Sequence, residues 1–236
     1  MKCRVWMSVL LLTVVPVVGA EPPVIGSGDM FNTVGLYYRA YANDYDSLLN
    51  TGSYSVGTIL KSPGPDQFWD FSEGPTTQTL RLDYLDPAGL AEAADFPLAT
   101  LAERKTIEET SEVEWLFFEQ VPGVGRKVYG IYSEVFSPNM PSVPFSQPGV
   151  DFPDTISYLD SWLTSYTGIS LYPSLSPDWM DDFLLRNTWN SKFTVDAWGV
   201  ALLPGLGLLD VLRVNEEVEY DVDADLGDGW QDIETD

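Results

Sequence analysis

Histidine is absent from this 236-residue chain, cysteine occurs once, and 12 Lys and Arg face 36 Asp and Glu. Without imidazole there is no Ser-His-Asp triad, no Cys-His dyad and no histidine-held zinc. No Ser-x-x-Lys motif offers a substitute nucleophile pair. The formal charge of −24 leaves no basic surface for phosphate, so no nucleic-acid partner is expected. Adsorption to an anionic membrane is excluded on the same ground. What is present is a hydrophobic content of 44%, enough to build a core rather than a disordered chain.

The one cysteine, Cys3, lies in an address. Lys2 and Arg4 form a basic n-region, Val9 to Val15 an apolar h-region, and Val18-Gly19-Ala20 a small-residue cleavage site. This is the pattern of a secretory signal peptide, residues 1–20, cut before Glu21. Cys3 comes too early to be a lipobox cysteine. The apolar run is short for a membrane anchor, and no second run is long enough to span. Removing 20 residues leaves 216, with neither Cys nor His. Export without disulfides points to a bacterial protein, secreted, periplasmic or on the cell surface, that relies on an ordinary core.

Short alternating segments between Gly/Pro turns dominate the rest. Leu80, Leu82 and Tyr84 alternate with Arg81 and Asp83, which predicts a half-buried strand over Thr77–Leu85. Trp115–Phe118 and Val128–Tyr132 flank Pro122-Gly123-Val124-Gly125 as a hairpin. Val200–Leu203 and Leu208–Val214 flank Pro204-Gly205-Leu206-Gly207 as a second. Gln67–Phe71 and Thr188–Trp198 read as further strands, and Tyr54–Leu60 alternates. Ala88–Leu101 holds a short helical turn limited by Pro97, Pro177–Leu185 a brief helix, and Ser137–Pro153 an irregular Pro/Ser loop. The expected fold is all-β, an antiparallel sandwich or partly open barrel with long loops, over residues 21–220.

Residues 221–236 read as an acidic C-terminal tail. From Asn215 onward 10 of 22 residues are acidic and none is basic. Asp221, Asp223, Asp225, Asp228 and Asp232 carry carboxylates at short intervals with Gly227 and Gly229 between them. Calcium takes six to eight oxygens, so this run is a candidate calcium loop; the other reading is a solvated acidic run. As an EF-hand it fails at Leu226, where glycine is required.

Candidate acid/base groups are carboxylates. Asp178, Asp181 and Asp182 lie near Trp179, and Glu108, Glu109 and Glu112 near Trp115. Paired carboxyls beside an indole are what a glycosidase needs, but neither cluster has a distinctive spacing. Exposed Trp and Tyr on a sandwich face would bind extracellular polysaccharide or another surface protein. The readings are therefore a non-catalytic structural or binding domain, with a carbohydrate-active module as the alternative.

Two stretches carry a resemblance. Gly64-Pro65-Asp66-Gln67-Phe68-Trp69-Asp70-Phe71-Ser72 is similar to a Gly-x-x-Gln-x-Trp-Asp-Phe-Ser pattern. Asp196-Ala197-Trp198-Gly199-Val200-Ala201-Leu202-Leu203-Pro204-Gly205, then Val211-Leu212-Arg213-Val214, is similar to an Asp-Gly-x-Gly-x-Leu-x-Leu-Pro-x-Gly pattern and its Val-Leu-Arg-Val strand. Both patterns recur in uncharacterised secreted bacterial proteins. The resemblance implies a secreted β-rich domain and no particular reaction. The tail resembles a single thrombospondin type 3 calcium repeat, with Leu226 as an insertion. Read structurally, Trp69 and Phe71 point inward from one strand, and Arg213 pairs with an acid or crosses a barrel end.

Overall fold

The computed structural model describes residues 3–12, 21–26, 33–42, 62–71, 78–134, 140–172, 182–203, 206–225, 227 and 229–232. The protein is an all-β antiparallel sandwich. One half is a meander of β3 (Tyr37–Ala42), β5 (Gln78–Leu85), β6 (Leu101–Ile107), β7 (Val113–Val121) and β8 (Gly125–Tyr132). The other half is β11 (Ser161–Tyr172), β12 (Phe183–Leu203) and β13 (Gly207–Asp225), edged by β1 (Cys3–Leu12) and β14 (Trp230–Asp232). β9 (Ser142–Pro153) pairs with β8 on one side and with β11 at Phe145 and Gly168 on the other, joining the halves. A Cβ on Gly168 would stand 2.5 Å from Val143 Cγ1, so this junction needs glycine.

The alternation read from sequence sets the faces. Leu82 and Tyr84 are buried inward on β5, as expected. The two expected hairpins form: Trp115 pairs Tyr132 across β7–β8, and Leu203 pairs Gly207 across β12–β13. The expected helical turn is a single 3-10 turn, Ala91–Ala93. Its segment lays Phe96 on Phe117, ring centroids 4.3 Å apart. A fully buried phenylalanine contributes roughly 1.5–3 kcal/mol of transfer free energy.

Ser137–Pro153 departs from expectation: residues 142–153 are a strand, not a loop. Proline lacks the ladder donor, and the register of β9 against β8 slips twice between Pro144 and Pro153. Bulges of this kind are where a strand tolerates proline. Leu184 and Leu185, placed in a helix by the sequence, begin β12 instead. Residues 177–181, the Tyr54–Leu60 segment and the proposed cleavage site lie outside the described residues.

β4 (Gly64–Asp70) runs parallel to the second part of β12, with Trp69 opposite Ala201 and Gln67 opposite Gly199. The two stretches that carry the family resemblance are thus neighbours in space. Trp69 is buried against Ala197, Ala201, Leu209 and Val211. A second apolar cluster joins Phe152, Val195, Trp198, Leu212 and Val214. Ile25 and Ile156 plug it from the small ladder formed by β2 (Ile25–Gly26) and β10 (Thr155–Ile156).

Candidate functional site

The most concentrated chemistry lies inside the sandwich. Tyr84 and Glu103 are cross-strand partners on β5 and β6. The Tyr84 hydroxyl donates to Glu103 Oε2 at 2.8 Å. Arg126, on β8, reaches the same oxygen at 3.6 Å. Its main grip is on Asp151 of β9, with Nε to Oδ1 at 2.9 Å and Nη2 to Oδ2 at 2.6 Å. A bidentate fork of this kind is the strongest geometry an arginine offers a carboxylate. The guanidinium also lies 5.4 Å from the Phe118 ring centroid.

These surroundings set the protonation states. Burial alone would lower the proton affinity of Arg126, but the Asp151 and Glu103 carboxylates outweigh it and push the value up. Burial, then the nearby Glu103 charge, lifts Tyr38 to about 12 and raises Tyr84 further. Both phenols stay protonated, and Tyr84 uses its proton to donate to Glu103. Glu216 enters from β13 and is raised by burial, with Ser191 opposing and Asp151 adding to the shift. The cluster spans both halves, and beside it the Tyr166 hydroxyl is buried without a hydrogen-bond partner among the described residues.

A second constellation faces outward on β3, β5 and β6. Asp83 accepts Arg81 Nη2 at 2.8 Å and Arg104 Nη2 at 2.9 Å. Hydrogen bonding from Arg81 holds its carboxyl below the usual range. Arg39 pairs with Glu108 at 2.9 Å. The Arg81 guanidinium lies 4.5 Å from the ring centroid of Tyr37, which is 57% exposed at the β3 edge, whereas Asp83 and Trp115 on the same face are buried. Arg39, Arg81 and Arg104 each use fewer than the five donors a guanidinium carries.

The acidic run is a continuation of the sheet as far as the described residues show. Asp221, Asp223 and Asp225 occupy alternate positions of β13 and so share one face. On an extended strand such positions are about 7 Å apart, too far to close on one cation without curling. Asp223 is gripped by Arg186 at 2.9 and 2.8 Å. Asp225 Oδ1 caps the N–H groups of Gly227 and Gly229. Asp232 stands opposite Asp223 in β14, and Asp228 lies outside the described residues. Among the described residues no three acidic, His or Cys side chains gather as a metal site. The boundary drawn at Tyr220 falls within β13.

Of the carboxylates considered for glycoside hydrolysis, Glu108 and Glu109 have partners of their own. Glu108 serves Arg39, and Glu109 accepts the Thr79 N–H at 2.9 Å. Asp178 and Asp181 lie outside the described residues. A shallow groove of about 510 Å³ crosses β11, β12 and β13, lined by Leu163, Ser165, Asn190, Lys192, Glu217 and Glu219.

Sequence reasoning missed the Arg126 cluster. Its signal was an arginine on the apolar face of a hairpin strand, two positions before Val128. Arg213 was read as pairing with an acid, and it does: Nε to Asp196 Oδ1 at 2.7 Å and Nη2 to Oδ2 at 2.9 Å. Asp196 is the extra residue of a β-bulge between Val195 and Ala197, which aims it at Arg213.

No family model matches the chain, and neither curated proteins nor solved structures give a significant match. Among the described residues, no helix is long and apolar enough to cross a membrane.

Proposed function

We propose that the chain is an exported, non-catalytic bacterial domain with a structural or binding role outside the inner membrane. The observation behind this reading is that the interior cation Arg126 is held between the Asp151 and Glu103 carboxylates. Arg126, Asp151, Glu103 and Tyr84 tie strands together instead of converging on an open cleft. Such a network rigidifies a scaffold. The proximity of the two resembling stretches, β4 beside β12, supports kinship with secreted bacterial β-rich proteins.

The Tyr37–Arg39–Arg81 face favours a second reading, a polysaccharide-binding module. An exposed phenol ring can stack a sugar CH face while guanidinium groups donate to its oxygens. Affinity electrophoresis through gels holding soluble polysaccharides tests it. Retardation lost in Tyr37→Ala would establish binding at this face. Release of reducing sugar by the same protein would instead refute the non-catalytic proposal.

Calcium binding by the acidic run is a further proposal, and it requires Asp223 to leave Arg186. Calorimetric titration of Ca²⁺ decides it. Stoichiometric micromolar heat that disappears in Asp223→Ala/Asp225→Ala would support it. Weak, non-saturating heat unchanged in the variant would remove it.

A further inference from the structure

Residues 3–12 have two assignments, one from the sequence and one from the structure. Their sequence is the basic-then-apolar part of an export leader. In the structure they form β1, antiparallel to β13 over ten residues, from Cys3 opposite Tyr220 to Leu12 opposite Val211. β12 covers the other side of β13 throughout. β14 takes only residues 223–225 of the side that β1 occupies.

Removing the leader therefore bares one edge of a long central strand. Every second residue of 211–220 would lose the partner of its N–H and C=O. Natural edges are blunted by short length, charge or proline. The stretch Val211 to Val214 has none of these devices apart from Arg213, whose guanidinium is committed to Asp196. Its neighbours Val211, Leu212 and Val214 are buried in the core, so the strand is held rigid for an incoming partner.

We propose that this edge, residues 211–220 of β13, is a strand-acceptor site that the leader fills before processing and a partner protein's strand fills afterwards. The register defines the partner's chemistry. It is an extended antiparallel segment with an apolar run opposite Val211–Val214 and a basic residue opposite Glu219, the place Arg4 takes in β1. The acidic residues Glu216, Glu217 and Glu219 select against an acidic strand, because like charges placed opposite each other repel. Main-chain bonds give such strand addition its affinity, and the side-chain pattern gives its specificity.

The inference rests on the export reading, and its test separates the two. The full chain is expressed with its own N-terminus in an exporting bacterial host, and intact mass of the recovered protein shows whether residues 1–20 are gone. Hydrogen exchange is then followed on that protein, with and without a synthetic peptide of residues 3–12 carrying Cys3→Ser. The expected result is fast exchange over 211–220 that slows at least about tenfold with peptide, and weaker binding of the Arg4→Glu peptide. A chain that keeps its leader overturns the export reading and this one together. A leaderless chain already slow over 211–220, or unmoved by peptide, overturns this one alone. So does self-association that protects 211–220, because the occupant is then a second copy.

Discussion

Arg126 and Arg213 are both largely enclosed arginines that grip an aspartate with two nitrogens, and they sit in contrasting halves of the sandwich. Arg126 keeps 21% of its side chain exposed and shares Glu103 and the neighbouring phenols with Asp151. Arg213 keeps 5% and is set among Val211, Leu212 and Val214. The meander half thus carries a polar network beside its apolar clusters, and the β12–β13 half an apolar core with the enclosed Arg213–Asp196 pair and the more exposed Arg186–Asp223 pair. A chain with few bases has placed two of them in its interior. Burying a charge is tolerable only when a partner answers it. Losing Arg126 would strand the Asp151 and Glu103 carboxylates, and losing Arg213 would strand Asp196.

Replacing Arg126 with methionine should break the polar half. Asp151 and Glu103 would be left without their shared cation, at a cost of about 3–5 kcal/mol. Urea denaturation measures it, and Arg126→Met/Asp151→Asn should recover part of the loss. A cost below about 1 kcal/mol would show that water already screens the cluster and that the two arginines are alike.

Gly199 tests the apolar half. A Cβ there would meet the Gln67 carbonyl oxygen at 1.9 Å, so alanine must push β4 away from β12. Trp69 would then lose its pocket, and Gly199→Ala should cost about 3 kcal/mol, within the range for core disruption. Tryptophan emission should move to longer wavelength. Unchanged emission and stability would mean that β4 does not depend on this close approach.

Arg213→Met should cost somewhat less than Arg126→Met, about 2–3 kcal/mol, because Asp196, its carboxylate partner, keeps partial access to water. Asp196→Asn in the same chain should restore most of it. Equal costs at Arg126 and Arg213 would remove the contrast.

How much of this was readable in advance follows from which forces are local. Leu80, Leu82 and Tyr84 announced their strand because period-two alternation is a property of the segment itself. The β7–β8 and β12–β13 hairpins announced themselves through their turns. β9 was hidden because Pro144, Pro148 and Pro153 carry a loop signature, whereas pairing with bulges depends on neighbours far along the chain. The Arg126–Asp151 pair spans 25 residues and Arg186–Asp223 spans 37. No local pattern specifies such partners. The strand through the acidic run was hidden for the same reason: Asp221, Asp223 and Asp225 read as a loop in isolation, and their pairing with residues 184–188 of β12 depends on a distant segment.

Glu216 links the two halves and offers the finest probe of their contrast. It belongs to β13, is buried beside Ser191, and feels the Asp151 carboxylate of the opposite half. Burial raises its pKa above the ordinary glutamate value of 4.5. In the folded state it therefore holds its proton to higher pH than in the unfolded chain. Its contribution to stability is fully present below about 4.5 and is lost as pH rises through the raised folded value. Asp83 acts in the opposite sense: its lowered pKa gives stability above the ordinary aspartate range that is lost as pH falls through the folded value. Glu216→Gln keeps the shape and removes the ionisation. Relative to wild type it should gain stability as pH rises above about 4.5 and level off once pH passes the raised folded value, by less than any of the losses above. Denaturation midpoints of the two proteins across that range give the difference directly. A difference that stays flat would mean that Glu216 is hydrated in the folded protein and that Asp151 answers to Arg126 alone.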